Sequence, residues 1–145
     1  MIVISREGPD VTAAELYNIL RLRADIFVVE QECAFSEIDG VDLDPTTTHL
    51  WSSDDEGIRA YVRVIATGIP GTLRVGRVVT RSDCRGQGLS GTMLEAAHGF
   101  TAGSATLLDA QKHLVPFYKR FGYVQDGEDF LEDGIPHAPM KRATS

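Results

Sequence analysis

Between Val78 and Phe100 the chain reads Val-Val-Thr-Arg-Ser-Asp-Cys-Arg-Gly-Gln-Gly-Leu-Ser-Gly and then turns apolar at helical spacing. A strand therefore leads into a glycine-rich turn that opens a helix, which is a socket for phosphate. Glycines without side chains let several backbone N–H groups converge on one point, the helix N-terminus adds partial positive charge, and Arg85 adds a full one. The chemistry to expect is the holding of a phosphate-bearing ligand.

Three readings of this turn compete on the residues alone. Gly86-Gln87-Gly88-Leu89-Ser90-Gly91 matches G-x-G-x-x-G, and Asp109 lies about 20 residues on, at the end of the next strand, as a dinucleotide site requires. That fold needs further parallel strands on both sides, whereas the strands before the turn are joined as hairpins and one strand–helix unit follows it. A Walker loop is excluded because Gly-Lys-Ser/Thr is absent. The bland reading is a tight turn that needs glycine and holds nothing.

The elements that must position the turn follow from periodicity. Ile2 to Ser5 reads as a short edge strand, and Thr12 with Glu15 forms a capping box that opens a helix to about Val29. Leu16, Ile19, Leu20, Arg23 and Phe27 share its inner face. Cys33 to Thr48 is acidic and turn-rich, which predicts a long loop. Strands are predicted over His49–Ser53, Ile58–Thr67 and Thr72–Thr80, linked by Asp54-Asp55-Glu56-Gly57 and Gly68-Ile69-Pro70-Gly71. Leu89, Met93, Ala96, Ala97 and Phe100 make a helical stripe. Ala105–Ala110 is a buried strand, Pro116–Phe121 a short helix stopped by Gly122, and strands over Tyr123–Phe130 and His137–Arg142 end the series. The order predicted is β α β β β α β α β β, an α/β (α+β) arrangement.

Length and composition bound the function. With 145 residues, 43% of them hydrophobic and 24% charged, the chain reads as one globular domain over residues 1–145 with a core of ordinary size. No run approaches the ~20 apolar residues that span a bilayer, and Met1 to Arg6 lacks the apolar core of a signal peptide, so the expectation is a soluble cytoplasmic protein with no membrane partner. A formal charge of −7 argues against a general nucleic-acid surface, which needs clustered Lys and Arg. That field draws amines and polycations; it also simply keeps a chain soluble. The two cysteines, Cys33 and Cys84, have no metal-ligand spacing and are expected as reduced thiols, with no metal bound.

Arg85-Gly86-Gln87-Gly88-Leu89-Ser90 resembles the pyrophosphate-binding signature Arg/Gln-x-x-Gly-x-Gly/Ala of the GNAT superfamily of acyl-CoA N-acyltransferases. Ser90 stands where Gly or Ala is usual, but it is small and keeps its N–H. The resemblance extends through Leu20 to Gln31, Ile38 to Asp42, Gly76 to Thr80, Ala110 to Leu114, Phe117-Tyr118, Phe121-Gly122-Tyr123 and Leu131 to His137, blocks that look like the ElaA-like branch and cover most of the chain. It implies a mixed central sheet splayed between the fourth and fifth strands, with helices on both faces. It further implies acetyl-CoA (coenzyme A) as co-substrate, a small-molecule or peptide amine as acceptor, direct attack in a ternary complex, and in many relatives a homodimer.

Residue by residue, the resemblance lays pantetheine along the backbone of Val78, Val79 and Thr80, and the pyrophosphate on Arg85, Gly86, Gln87, Gly88, Leu89 and Ser90. It makes Tyr118 the general acid for the leaving thiolate and a fourth-strand N–H, that of Val79, the oxyanion donor. Many relatives carry a glutamate base on the fourth strand; Val75, Gly76 and Arg77 stand there instead. Deprotonation of the amine is then left to water with Glu30, Glu32, Asp39 or Asp42, or to His49 or His113. Each has a plainer reading: Asp39-Gly40 and Asp42 suit turns, Glu30 can end a helix, and a lone histidine is commonly structural. Arg77, with Asp39 and His49, borders the acceptor, or Arg77 pairs with an acid of the Cys33–Thr48 loop. Gln111 and His113 border the same cleft at the exit of the fifth strand, holding CoA, orienting Tyr118 or capping a helix. Cys84 is incidental.

Overall fold

Thr12 and Glu15 close the box that their spacing predicts. The Thr12 hydroxyl accepts from the Glu15 N–H at 3.1 Å, and the Glu15 carboxylate accepts from the Thr12 N–H at 3.0 Å, satisfying two donors that a helix start leaves unpaired. From there α1 (Ala13–Arg23) runs into a π-helical continuation, Ala24–Glu30, in which the Gln31 N–H reaches back to the Ile26 carbonyl at 2.9 Å. The structure, a computed structural model, describes residues 2–32 and 37–144. Cys33 lies outside the described residues.

Among the described residues eight strands form one sheet: β1 (Ile4–Glu7), β2 (Thr48–Asp54), β3 (Gly57–Ala66), β4 (Thr72–Thr80), β5 (Ala105–Gln111), β6 (Val124–Gln125), β7 (Phe130–Glu132) and β8 (Ile135–Arg142). Their order is β1-β2-β3-β4-β5-β8-β6, with β7 also on β8. Every pair is antiparallel except β4–β5. With one parallel pair the sheet is not doubly wound, which removes the dinucleotide reading of Gly86 to Gly91.

Alternation along the strands sorts the core into two layers. Leu50, Ala60, Val62, Val64 and Val75 face α2 (Leu89–Phe100), meeting Met93, Leu94 and Ala97, while Trp51, Tyr61 and Val79 face α1, meeting Ile19, Leu22 and Ile26. Helices thus cover both faces, as the GNAT arrangement requires. The inner stripe of α1 and its π-helical continuation is Ile19, Leu22, Arg23 and Ile26, so the predicted stripe of Leu16, Ile19, Leu20, Arg23 and Phe27 is rotated by about one residue.

The strand predicted over Tyr123–Phe130 is two. β6 pairs Val124 with Lys141, whereas β7 pairs Phe130 with His137, so extra residues bulge out between them around Gly127, whose φ of +139° suits glycine alone. The short helix α3 (Val115–Lys119), preceded by a 3-10 turn over Lys112–Leu114, sits just after β5.

Candidate functional site

β4 and β5 begin as partners and then part. Thr72, Leu73 and Arg74 pair with Ala105, Thr106 and Leu107, and no pairing follows. A bulge in β4 accompanies the parting: Tyr61 pairs with Val79 but Arg63 with Gly76, so β4 carries one extra residue there, and Arg77 takes a φ of +54°. The bulge flips the alternation, sending Val78 toward α2 and Val79 toward α1. Beyond Arg74 the strand edges facing the gap have lost their ladder partners, and backbone groups taken from water need others. The gap is a cavity of about 220 Å³ lined by Gly76, Arg77 and Val78 of β4, Leu108 and Gln111 of β5, and Tyr118 of α3.

The glycine turn lies at the C-terminal end of β4. Gly86 and Gly88 have φ of +80° and +77°, and a Cβ at either would meet nothing within 4 Å; the backbone twist, not crowding, demands glycine. Gly88 caps α2 with no side-chain hydrogen bond, so the first amides of that helix keep their donors for another partner. Leu89 is buried in the core, which leaves its amide alone for a ligand. Ser90 turns its hydroxyl to that of Thr80 at 2.8 Å, tying the turn to the end of β4. The residues present fit a diphosphate: Arg85 supplies charge, and Gly86 to Ser90 supply N–H groups. Cys84 is buried beside them, and burial raises its thiol pKa, which disfavours the reactive thiolate.

Tyr118 is 7% exposed, its ring edge-on to Phe117 at 5.1 Å and to Tyr123 at 6.1 Å. Burial pushes its hydroxyl up to about 12. It stays protonated through the neutral range, as a proton donor must. Gln111 lines the same cavity and donates to the Gln31 amide oxygen at 3.0 Å, joining β5 to the end of the π-helical segment.

The residues predicted to take the amine's proton do not come together in the cavity. Glu30 instead holds Arg85, and that guanidinium keeps its carboxyl below the usual range. Asp42 is buried between Arg23 at 2.7 Å and Arg63 at 2.9 Å; burial raises its pKa, but the two cations outweigh it and hold it low, which suits an ion pair and not a base. Asp39 is bound by Arg63 and Arg77; burial again is outweighed, chiefly by Arg63, and its carboxyl sits at about 2. His49 is fully enclosed, Nδ1 against the Tyr61 hydroxyl at 2.6 Å and Nε2 against the Asp42 carbonyl at 2.7 Å, and burial lowers its pKa. It belongs to the core under α1, not to the acceptor. His113 is exposed on the 3-10 turn, and Glu32 is likewise exposed. Neither lines the cavity.

Arg77 pairs with acids of the predicted loop, one of the two expectations for it. It lines the cavity and donates to Glu37 at 3.0 Å and Asp39 at 3.4 Å, both in the predicted loop. With Arg23 and Arg63 it completes a network of three arginines and three carboxylates, Glu37, Asp39 and Asp42. The network fastens residues 37–42 against α1, β3 and β4. Among the described residues no cluster of His, Cys, Asp and Glu is built to hold a metal ion, and no helix is long and apolar enough to cross a membrane.

Sequence reasoning missed several cavity residues, Phe27, Gln31 and His137 among them. Phe27 and Gln31 reach it because the π-helical turns shift the face that the segment presents. His137 reaches it from β8, paired with Gln111 of β5. Gln111 and His137 were each visible in sequence; their pairing was the missing signal.

The model of the acetyltransferase (GNAT) domain family matches residues 27–144. A UPF0039 protein of Mycobacterium tuberculosis is 41% identical over 139 residues, 94% of this chain and 89% of its own length. The ElaA protein of Escherichia coli is 34% identical over 92% of this chain and 90% of its own, and its crystal structure superposes with a TM-score of 0.92 over 98% of this chain and 99% of that one. The crystal structure of an acyl-CoA N-acyltransferase from Pseudomonas aeruginosa superposes with a TM-score of 0.93 at 39% identity, covering 98% and 99% of the two chains. The parted β4 and β5, the glycine turn after β4 and these similarities agree: the chain belongs to the GNAT acetyltransferase family, in its ElaA-like branch.

Proposed function

We propose that the protein transfers an acyl group, acetyl in the first instance, from acyl-CoA to a primary amine of a small molecule or peptide in the cytoplasm. The observation that carries this reading is the parting of β4 and β5 beyond Arg74, with Tyr118 lining the gap. A pantetheine arm is a thin chain with two amides, suited to a slot whose edges offer unpaired backbone groups. Val78 and Thr80 would bond it from β4, Val79 between them being turned to Tyr61 of β3. Arg85 and the amides of Gly86 to Ser90 would take the diphosphate, and Gln111 would border the arm from β5.

The amine attacks the thioester carbon directly, both substrates being bound. A C–N bond forms, the C–S bond breaks, a β4 backbone N–H that faces the gap meets the developing oxyanion, and Tyr118 gives its proton to the leaving sulfur; the Val79 N–H expected for the oxyanion is turned instead to Tyr61 of β3. Arg77, already braced by Glu37 and Asp39, lines the acceptor end.

A CoA-binding module without turnover is the competing reading, favoured by the lack of a carboxylate at Val75, Gly76 and Arg77. Thiol release from acetyl-CoA with a panel of primary amines separates the two. Amine-dependent release supports transfer; tight CoA binding by calorimetry with no release for any amine supports the module.

A further inference from the structure

We propose that His137 is the general base that deprotonates the acceptor amine, an assignment that rests on the acyl-transfer reading. In the β5–β8 ladder Gln111 faces His137 and Ala110 faces Ala138. Residues directly opposite share a face, and successive residues alternate. Ala110 and Ala138 lie in the core that holds α2 and Tyr118, so Gln111 and His137 are turned to the other side of the sheet. Yet Tyr118, Gln111 and His137 line one cavity. The cavity therefore passes through the gap between β4 and β5, with the proton donor on one side and the imidazole on the other. A thioester held in the gap is open to an amine arriving from the side of His137.

The ring is set for the task. Nδ1 stands 2.8 Å from the Ile135 carbonyl oxygen, which only accepts, so Nδ1 carries the hydrogen and Nε2 of the neutral ring keeps its lone pair. Stacking on Phe130, with ring centres 5.6 Å apart and planes 23° apart, fixes the ring's plane. The nearest carboxylate oxygen to Nε2 is Glu132 Oε2 at 3.7 Å, beyond a hydrogen bond but close enough to pair an imidazolium once it forms. Asp133 lines the cavity from the β7–β8 turn, Asp109 from β5 paired to Arg74 of β4 at 3.3 Å, and Arg77 from β4 paired to Glu37 and Asp39. With these cations matched by carboxylates, Glu132 and Asp133 leave this side negative, which suits an acceptor arriving as an ammonium ion.

The protons balance. An arriving ammonium first releases one proton to solvent; the neutral amine attacks, and its remaining transferable proton passes to His137 Nε2 as the C–N bond forms. Tyr118 protonates the departing sulfur, His137 releases its proton to solvent, and Tyr118 regains one. The products are an amide and CoA thiol.

The test is steady-state thiol release by the wild type and His137→Gln, with calorimetric CoA binding and thermal melts of both. The expected result is a fall in kcat of about 100-fold with CoA affinity unchanged and the acidic limb of the kcat/KM profile lost. A variant within threefold of wild type, limb intact, overturns the assignment while leaving acyl transfer standing; a wild type that releases no thiol overturns transfer itself. If His137→Gln does not fold, the wild-type profile decides. An acidic limb that shifts with temperature as an imidazole does supports His137, and a limb that is absent or temperature-invariant overturns it.

Discussion

Arg85 and Glu30 meet in a two-point contact across the chain, Nη1 to Oε1 at 2.5 Å and Nη2 to Oε2 at 2.8 Å. Glu30 closes the π-helical segment that brings Phe27 to the cavity, and Gln31 follows it. The guanidinium proposed to hold diphosphate is thus held by a carboxylate at the end of the segment that lines the cavity.

Diphosphate must displace Glu30 from Arg85, so Glu30→Gln is expected to tighten CoA binding. Both side chains are exposed, which limits the gain to about two- to fivefold, larger at low salt. Calorimetry at two ionic strengths measures it. Unchanged or weaker binding would contradict the competition.

Arg23 is buried with no exposed surface, its guanidinium bonded to Glu37 at 2.5 Å and Asp42 at 2.7 Å. Arg23→Met fills the space but leaves two buried carboxylates short of a partner, a loss of about 3–5 kcal/mol. Urea unfolding should show it as a lower midpoint. A change below about 1 kcal/mol would mean the network does not hold the loop.

How far the sequence was legible follows the reach of each signal. The capping box at Thr12, the extents of β4 and α2 and the turn at Arg85 rest on residues near one another in the chain, and they form as local chemistry dictates. The fate of Asp42 and His49 depended on partners far away: Arg23 and Arg63 enclose the first, Tyr61 the second. A carboxylate in a turn-rich loop looks free until the fold brings arginines to it. His137 was hidden for the converse reason, since it shares a face with Gln111 through a ladder that joins positions 26 residues apart.

His98 tests the pH response. Burial first, and then the charge of Arg142, lower its pKa to about 4 from 6.5, and Nε2 bonds the Tyr123 hydroxyl at 2.7 Å. Above pH 6.5 the ring is neutral folded and unfolded, and its contribution is complete. Between 6.5 and 4 the unfolded chain takes up a proton that the folded one refuses, so stability falls as pH falls and then levels. For this half-buried ring the loss is about 1 kcal/mol after discounting for screening, about 4 °C in Tm. His98→Gln should flatten the Tm profile over that window; an equal slope in the variant would contradict it.

Tyr118→Phe removes the proposed donor and keeps the ring that lies against Phe117 and Tyr123. Thiol release should fall about 100-fold in kcat, with CoA affinity and Tm close to wild type. A variant as fast as wild type would assign protonation of the sulfur elsewhere.

Acyl transfer by this protein requires the pantetheine arm to lie between β4 and β5. A crystal structure with acetyl-CoA should show the pantetheine arm in the gap beyond Arg74, bonded to the backbone of Val78 and Thr80, its sulfur beside Tyr118 and its diphosphate on Arg85 to Ser90. Acetyl-CoA bound outside that gap, or β4 and β5 closed into a continuous ladder, would contradict it.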